Sequence, residues 1–232
     1  PSDRPSTRST MKPKTATKLQ PAAKPVRRTR AQKAIENRQK LLRAAFDVIG
    51  EHGYAGASVT RIVERAGVAQ GTFYLYFASR QDLFDQLLPE AGIEALAFIR
   101  AAITDSPDFV TMEARGLRAF FEYVARQPAY FRVFTEAEVA ALAAYAAYTA
   151  DRTGRFLDRL TAAWRRGEAP GYSRRELGVL TQVMLAARTY LFHEYARVDG
   201  GKVAPPPPWV VSAYLKFIRR ALAAPAGDAD GD

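Results

Sequence analysis

Residues 58–76 read SVTRIVERAGVAQGTFYLY, and this stretch decides the fold. Ser58 stands ahead of Ile62, Val63 and Ala66 as an N-cap stands ahead of a short amphipathic helix. Gly67 follows where a helix ends in the left-handed conformation, and Val68 sits in the turn. A second short helix over residues 70–75 starts at once. Helix, glycine-containing turn and helix together make a helix–turn–helix unit. In such a unit the second helix enters the major groove of DNA and presents side chains to base edges.

The reading extends outward in both directions. Upstream, Ile35, Leu41, Leu42, Ala45, Phe46, Ile49 and Gly50 recur at three- and four-residue steps, which predicts an amphipathic helix ended by Gly53. Downstream, Ser79-Arg80-Gln81-Asp82 reads as a capping box for a helix carrying Leu83, Phe84, Leu87 and Leu88. Pro89 is expected to kink or break it, with the apolar pattern resuming at Ile93 and ending near Ile103. Ser106-Pro107 has N-cap and N1 chemistry for a helix through Arg126. Pro128 opens another helix, and the Ala-rich residues 137–166 read as one or two more. Ser173-Arg174-Arg175-Glu176 is a second capping box, for a long helix to about Val198. Residues 199–208, with four consecutive prolines, read as a loop, and residues 209–223 as the last helix. No strand-like alternation is evident, so the expected fold class is all-α.

The chain has 232 residues, 48% of them hydrophobic, which suits a globular protein of one or two domains. Its formal net charge of +10 is unevenly placed. Residues 1–34 hold ten cations against Asp3 alone, residues 35–80 carry +2, and residues 81–232 carry −1. Residues 1–30 are expected to be a disordered basic tail, rich in Pro, Ser, Thr and Lys, whatever the role of Met11 as an alternative start. That asymmetry points to a polyanionic partner, nucleic acid before an anionic membrane surface. No cysteine is present, which excludes disulfides, thiol nucleophiles and thiolate metal sites, and His52 and His193 alone make a zinc site improbable. No apolar run is long enough to span a membrane, and the start lacks a secretory h-region, so a cytoplasmic protein is expected.

The outward residues of the unit suit DNA reading. Gln70 offers a bidentate amide for adenine, and Thr72 a hydroxyl and a methyl. Tyr74 and Tyr76 offer hydroxyls to phosphates, Arg80 lies near the backbone, and Gly71 permits close approach. Phe73 and Phe77 are expected to face inward. Over residues 41–87 the chain resembles the DNA-binding domain of the TetR-type (tetracycline repressor) transcription regulators. The matching string runs Gly53-Tyr54, Ser58-Val59-Thr60-Arg61-Ile62-Val63 and Arg65-Ala66-Gly67-Val68. It continues Gly71-Thr72-Phe73-Tyr74-Leu75-Tyr76-Phe77, Ser79-Arg80 and Leu83-Phe84. Ala69, Tyr76 and Arg80 stand where Ser, His and Lys are usual. The loss of a hydroxyl at 69 puts one helix cap or phosphate contact in doubt.

The resemblance implies a helix–turn–helix domain over 31–79, a ligand-binding and dimerisation domain over 80–224, and an acidic tail over 225–232. It adds Ser58, Thr60 and Ala69 to the DNA-contacting set, with Arg27, Arg28 and Arg30 as phosphate contacts. It implies a homodimer through helices near 174–198 and 209–223, with a face of Leu177, Leu180, Thr181, Met184, Ala187, Arg188 and Leu191. Gly178, Ala186 and Ala187 would allow close approach of the helices. Two reading heads on a two-fold axis imply a pseudo-palindromic operator in double-stranded DNA. The family's regulatory domains usually enclose an effector pocket. Here Phe98, Phe120, Phe121, Tyr123, Phe134, Tyr145 and Trp164 would line it for a small lipophilic molecule, with Arg188 and His193 as anchors beside Tyr190 and Glu194. The stretch Tyr130-Phe131-Arg132…Glu136-Ala137-Glu138 resembles regulators that sense fatty-acyl or other lipophilic ligands. The expected function is a ligand-released repressor, with a ligand-independent regulator or a nonspecific architectural protein as alternatives. Catalysis and cofactors are not expected: His193-Glu194 lacks its second zinc histidine, since Arg197 stands there, and no phosphate-binding glycine loop is present.

Overall fold

The computed structural model describes residues 29–199 and 202–223. Among these residues the elements are α1 (Arg30–Gly56), α2 (Val59–Ala66), α3 (Gln70–Phe73), α4 (Arg80–Ile103) and α5 (Phe109–Arg126), followed by α6 (Pro128–Ala140), α7 (Leu142–Arg165) and α8 (Leu177–Tyr195). A hairpin of β1 (Arg197–Asp199) and β2 (Lys202–Ala204) then leads to α9 (Pro208–Leu222). The regular structure of the described residues is helical apart from that hairpin. No described helix is long and apolar enough to cross a membrane.

Helix α1 begins earlier than its apolar repeat. The Thr29 hydroxyl accepts the Gln32 backbone N–H while the Gln32 side chain accepts the Thr29 N–H, so a complete capping box starts the helix at Arg30. Thr29 and Arg30 therefore belong to the helical domain, not to a tail; Arg27, Arg28 and the acidic residues 225–232 lie outside the described residues. Gly53, at φ 72°, breaks the helical run at the position its sequence predicts, and one short turn continues to Gly56. Helices α1 to α4 enclose a dry core in which Leu41, Ile49, Ile62, Phe73, Phe77 and Leu83 are essentially inaccessible. Each such side chain contributes about 1.5–3 kcal/mol relative to exposure.

Four boundaries differ from the sequence reading. Helix α4 runs unbroken through Pro89, which lies on its exposed side, where solvent can meet the carbonyl that the proline cannot bond. Helix α5 is capped by Asp108 rather than Ser106, because the Asp108 carboxylate accepts both the backbone N–H and the hydroxyl of Thr111 at 2.7 and 2.9 Å. The Ser106 hydroxyl instead donates back to the Ile103 carbonyl at 2.8 Å. At α8 only half of the expected box forms: Ser173 donates its N–H to Glu176 at 2.6 Å, and the helix proper starts at Leu177. It stops at Tyr195 rather than Val198, since Arg197 pairs with Ala204 and Val198 with Val203.

In the body α5 packs on α4 and α9, α7 packs on α4 and α8, and α6 packs on α1 and α7. Helix α8 turns the face of Leu177, Thr181, Met184 and Arg188 into its own chain, so these residues are not free for a second subunit. Its outward large apolar residues are Val179, Val183, Tyr190 and Tyr195, while α9 exposes Trp209 and Phe217. A buried polar joint ties three helices: Glu113 of α5 takes a hydrogen bond from the Tyr214 hydroxyl of α9 at 2.9 Å and an ion pair from Arg188 of α8. Glu113 is wholly inaccessible.

Candidate nucleic-acid interface and regulatory cavity

The reading head is built by short-range bonds. The Ser58 hydroxyl accepts the Arg61 N–H at 3.2 Å, which caps α2, and Arg61 reaches back to the Gly56 carbonyl at 2.7 Å. Arg65 grips Glu51 of α1 with both guanidinium nitrogens at 2.8 and 2.6 Å. Gly67 ends α2 in the left-handed conformation, as its position predicts. Helix α3 is a single turn, shorter than the expected 70–75: its N-cap is Ala69, which has no side chain to offer, and Gly71 and Thr72 are weak helix formers. Residues 74–76 continue as turns, with the N–H groups of Tyr76 and Phe77 both bonded to the Phe73 carbonyl.

Thr60, Ala69, Gln70, Gly71, Tyr74 and Arg80 are exposed, Ser58, Thr72 and Tyr76 half-buried, and Phe73 and Phe77 buried. A Cβ placed on Gly71 would meet nothing, so a DNA backbone could approach there. The Arg80 guanidinium lies over the Phe84 ring at 5.4 Å, which pins its stem to α4. Ser79 accepts the Asp82 N–H at 3.1 Å, and Asp82 accepts the Ala78 N–H at 2.8 Å. That backbone bond, with Gln86, holds the Asp82 carboxyl below its usual range. The sequence reading did not single out Leu75, an apolar side chain 77% exposed beside the exposed Tyr74. Its place one residue past a solvent-facing tyrosine was the available signal.

The head joins the body through α6 as well as through α4. Gly50 lies so close to Ala129 that a Cβ there would come within 2.4 Å of it. At the Gly53 break, Glu136 accepts the Tyr54 N–H at 2.8 Å while Arg132, paired with Glu136 at 2.6 Å, donates to the Glu51 carbonyl at 3.1 Å. The buried Tyr54 hydroxyl bonds the Val133 carbonyl at 3.3 Å, and burial raises the pKa of its phenol far above the usual value. Arg132 and Glu136, which resemble part of a ligand-sensing stretch in sequence, thus clamp the end of α1.

A small cavity of about 50 Å³ lies among α4, α5, α6, α7 and α8. Leu96, Ile99, Phe120, Phe156 and Leu185 form its apolar wall, and Tyr130 and Tyr148, joined hydroxyl to hydroxyl at 2.7 Å, stand at one side. Burial pushes both phenols up, so they are neutral at ordinary pH. Arg152, Arg155, Arg159 and Arg188 complete the lining. Of the ligand candidates read from sequence, only Phe120 and Arg188 meet here. Phe134 and Tyr145 line an adjoining open groove with Arg152. Tyr123 faces a separate recess beside Arg43, and Phe98 another beside Arg115. Phe121 is core packing against Phe120 and Phe192. The Trp164 indole donates to the Tyr172 carbonyl at 2.7 Å. His193 is exposed and stacks on Phe131, and Tyr190 and Glu194 are also exposed. The arginine spacing 152, 155, 159 on one helical face was the signal that a search for aromatics passed over.

An exposed helix–turn–helix clamped to a helical body that carries a cavity makes a two-part, all-helical architecture. Residues 41–87 match the family described as bacterial regulatory proteins, tetR family. Over 74 residues the chain is 40% identical to YvdT, an uncharacterized HTH-type transcriptional regulator of Bacillus subtilis, a match spanning 32% of this chain and 38% of that protein. The chain spans 26–53% of the length of these curated relatives. The fold is similar to that of the fatty acid degradation regulator FadR from Bacillus halodurans, with TM-score 0.62 and 22% identity over 80% of this chain and 94% of that one. It is also similar to FadR from Bacillus subtilis in complex with stearoyl-CoA, with TM-score 0.58 and 19% identity over 79% and 90%. Over residues 41–87 the chain is similar to the tetR family of bacterial regulatory proteins, and over the longer span the likeness to these solved structures is one of fold.

Proposed function

We propose that this protein is a transcriptional repressor that binds a pseudo-palindromic DNA operator as a homodimer and is released by a small, partly lipophilic effector. The observation that carries this reading is the row of Gln70, Thr72, Tyr74 and Arg80 on a head clamped to a cavity-bearing body. Gln70 reads a base; Tyr74, Tyr76 and Arg80 hold phosphates, with Ser58, Thr60 and Ala69 flanking them. Arg27, Arg28 and Arg30 add phosphate attraction with little sequence information. The dimer forms through α8 and α9, on the face carrying Val179, Val183, Ala186, Tyr190 and Phe217, since the Leu177–Arg188 face is spent within the chain.

The similarity to FadR, solved with stearoyl-CoA in the Bacillus subtilis protein, supports an effector with an apolar part. Release follows when the effector favours a conformer that separates the two heads. The path runs from Tyr130 at the cavity along α6 to Arg132 and Glu136, which grip the end of α1. Selection from random duplex DNA, followed by fluorescence anisotropy at fixed salt, tests the reading. A two-fold consensus with half-sites about 34 Å or a multiple apart is expected. Gln70→Ala relaxes preference at one base pair by about 1–3 kcal/mol, while Arg80→Ala weakens all sequences alike. Binding without any consensus would leave an architectural protein, and the proposal would fall.

A further inference from the structure

The cavity wall is more cationic than any aromatic ligand pocket needs. None of its lining residues is acidic, yet four are arginines. Two of these are answered elsewhere: Arg155 pairs with Asp151 one turn back, and Arg188 with the buried Glu113. Arg152 and Arg159 have no carboxylate partner among the described residues. The Arg152 Nε is buried without a hydrogen-bond acceptor, and so is the Nε of Arg188, a side chain that is nine-tenths buried. Burial of Arg159, with Arg188, Arg155 and Arg100 around it, works against its charge, yet a guanidinium keeps its proton in proteins. The neutral phenols of Tyr130 and Tyr148 offset none of this. Buried donors and uncompensated like charges are costly unless an acceptor arrives.

Resting on the regulator reading above, we infer that the effector of this cavity is an amphipathic anion. Its carboxylate or phosphate headgroup is held by Arg152 and Arg159, and its apolar part lies against Ile99, Phe120, Phe156 and Leu185. The planar fork of arginine suits either oxyanion, and an anion bound there supplies the acceptor that the buried Arg152 Nε lacks. A neutral lipophile fills the same apolar wall but leaves the donors and charges as they are. An amphiphilic cation adds to the repulsion.

Calorimetry on the full chain with four probes of one chain length tests this: octanoate, octyl phosphate, octanol and octyltrimethylammonium. Octanoate or octyl phosphate is expected to bind at least tenfold more tightly than octanol, with the cation weakest; whichever anion wins identifies the headgroup. Arg159→Gln and Arg152→Gln should each erase most of that preference while octanol binding persists, which also shows that the variants fold. Arg159→Lys, which keeps the charge but not the fork, should fall between. Octanol binding as tightly as the anions, an anion preference that survives both glutamine variants, or no binding of any probe would overturn the inference. DNA selection is scored separately. Failure there sinks the regulator reading and leaves calorimetry to judge the cavity.

Discussion

The head and the body of this molecule treat polar groups in opposite ways. In the head the core is apolar, and the hydrogen-bonding side chains of Thr60, Gln70, Tyr74 and Arg80 stand outside it. In the body, Glu113 is buried with Arg188 and Tyr214, and the arginines of α7 turn toward a cavity. A group left in water costs nothing while it waits for a partner, so the head can be stable and competent at once. A group taken out of water must be answered inside, by another residue or by a ligand. Truncating an exposed polar group should therefore barely disturb the fold of the head, whereas removing a buried, partnered one should destabilise the body strongly.

The largest expected effect follows from the buried joint. Glu113→Ala strands Arg188 and removes the acceptor of Tyr214, so it should cost about 3–5 kcal/mol of stability in chemical denaturation. Thr60→Ala, on the exposed side of α2, should stay within about 0.5 kcal/mol of the parent. Equal losses from the two substitutions would erase the contrast between the regions.

The same contrast explains how much of the molecule is legible in its amino-acid sequence. The head is written in local rules. Ser58, Gly67 and Ser79 each act within a few residues of their own position, so capping chemistry and spacing suffice to place α2, the turn and the start of α4. The body is assembled by distant partners. Arg152, Arg155 and Arg159 look like a solvated helix face until α7 packs against α4 and α8, and nothing near Glu113 in sequence announces Arg188 or Tyr214. The face of α8 is legible as apolar, but periodicity does not say whether its own chain or a second subunit covers it. The hairpin escapes a sequence reading because three-residue strands carry no measurable alternation, although Gly200-Gly201 between them is a turn signal. Pro89 misleads for a physical reason, since a proline on an exposed helix side forfeits one bond without stopping the helix.

Asp108 sharpens the comparison at intermediate size, because its cap is local although it lies in the body. Asp108→Ala removes both bonds to Thr111 and should cost about 1 kcal/mol, within the usual range for a cap. The Thr111 backbone bond leads the interactions that hold the Asp108 carboxyl below its ordinary value. Its stabilisation is therefore full above the ordinary carboxylate range, near pH 4, and is lost as pH falls through the lowered folded value. Asp108→Asn keeps a capping oxygen and should be close to neutral at pH 7 while flattening that part of the acid limb. An unchanged acid limb would mean that the carboxylate is not what caps α5.

The smallest effect returns to the head and tests whether its one weak point is a missing cap. Helix α3 is a single turn behind Ala69, which offers no side-chain acceptor to its first turn, where the Thr72 N–H donates to the Ala69 carbonyl at 2.8 Å. Ala69→Ser restores that acceptor at an exposed position where the backbone is already extended, at φ −69° and ψ 148°. The gain should be about 0.5–1 kcal/mol in thermal unfolding, with hydrogen exchange slowed at Gly71 and Thr72, the N2 and N3 residues whose N–H groups the introduced hydroxyl can reach. If stability rises but exchange in α3 does not slow, the added hydroxyl acts elsewhere. If both are unchanged, the brevity of α3 is set by Gly71 and Thr72 rather than by the missing cap.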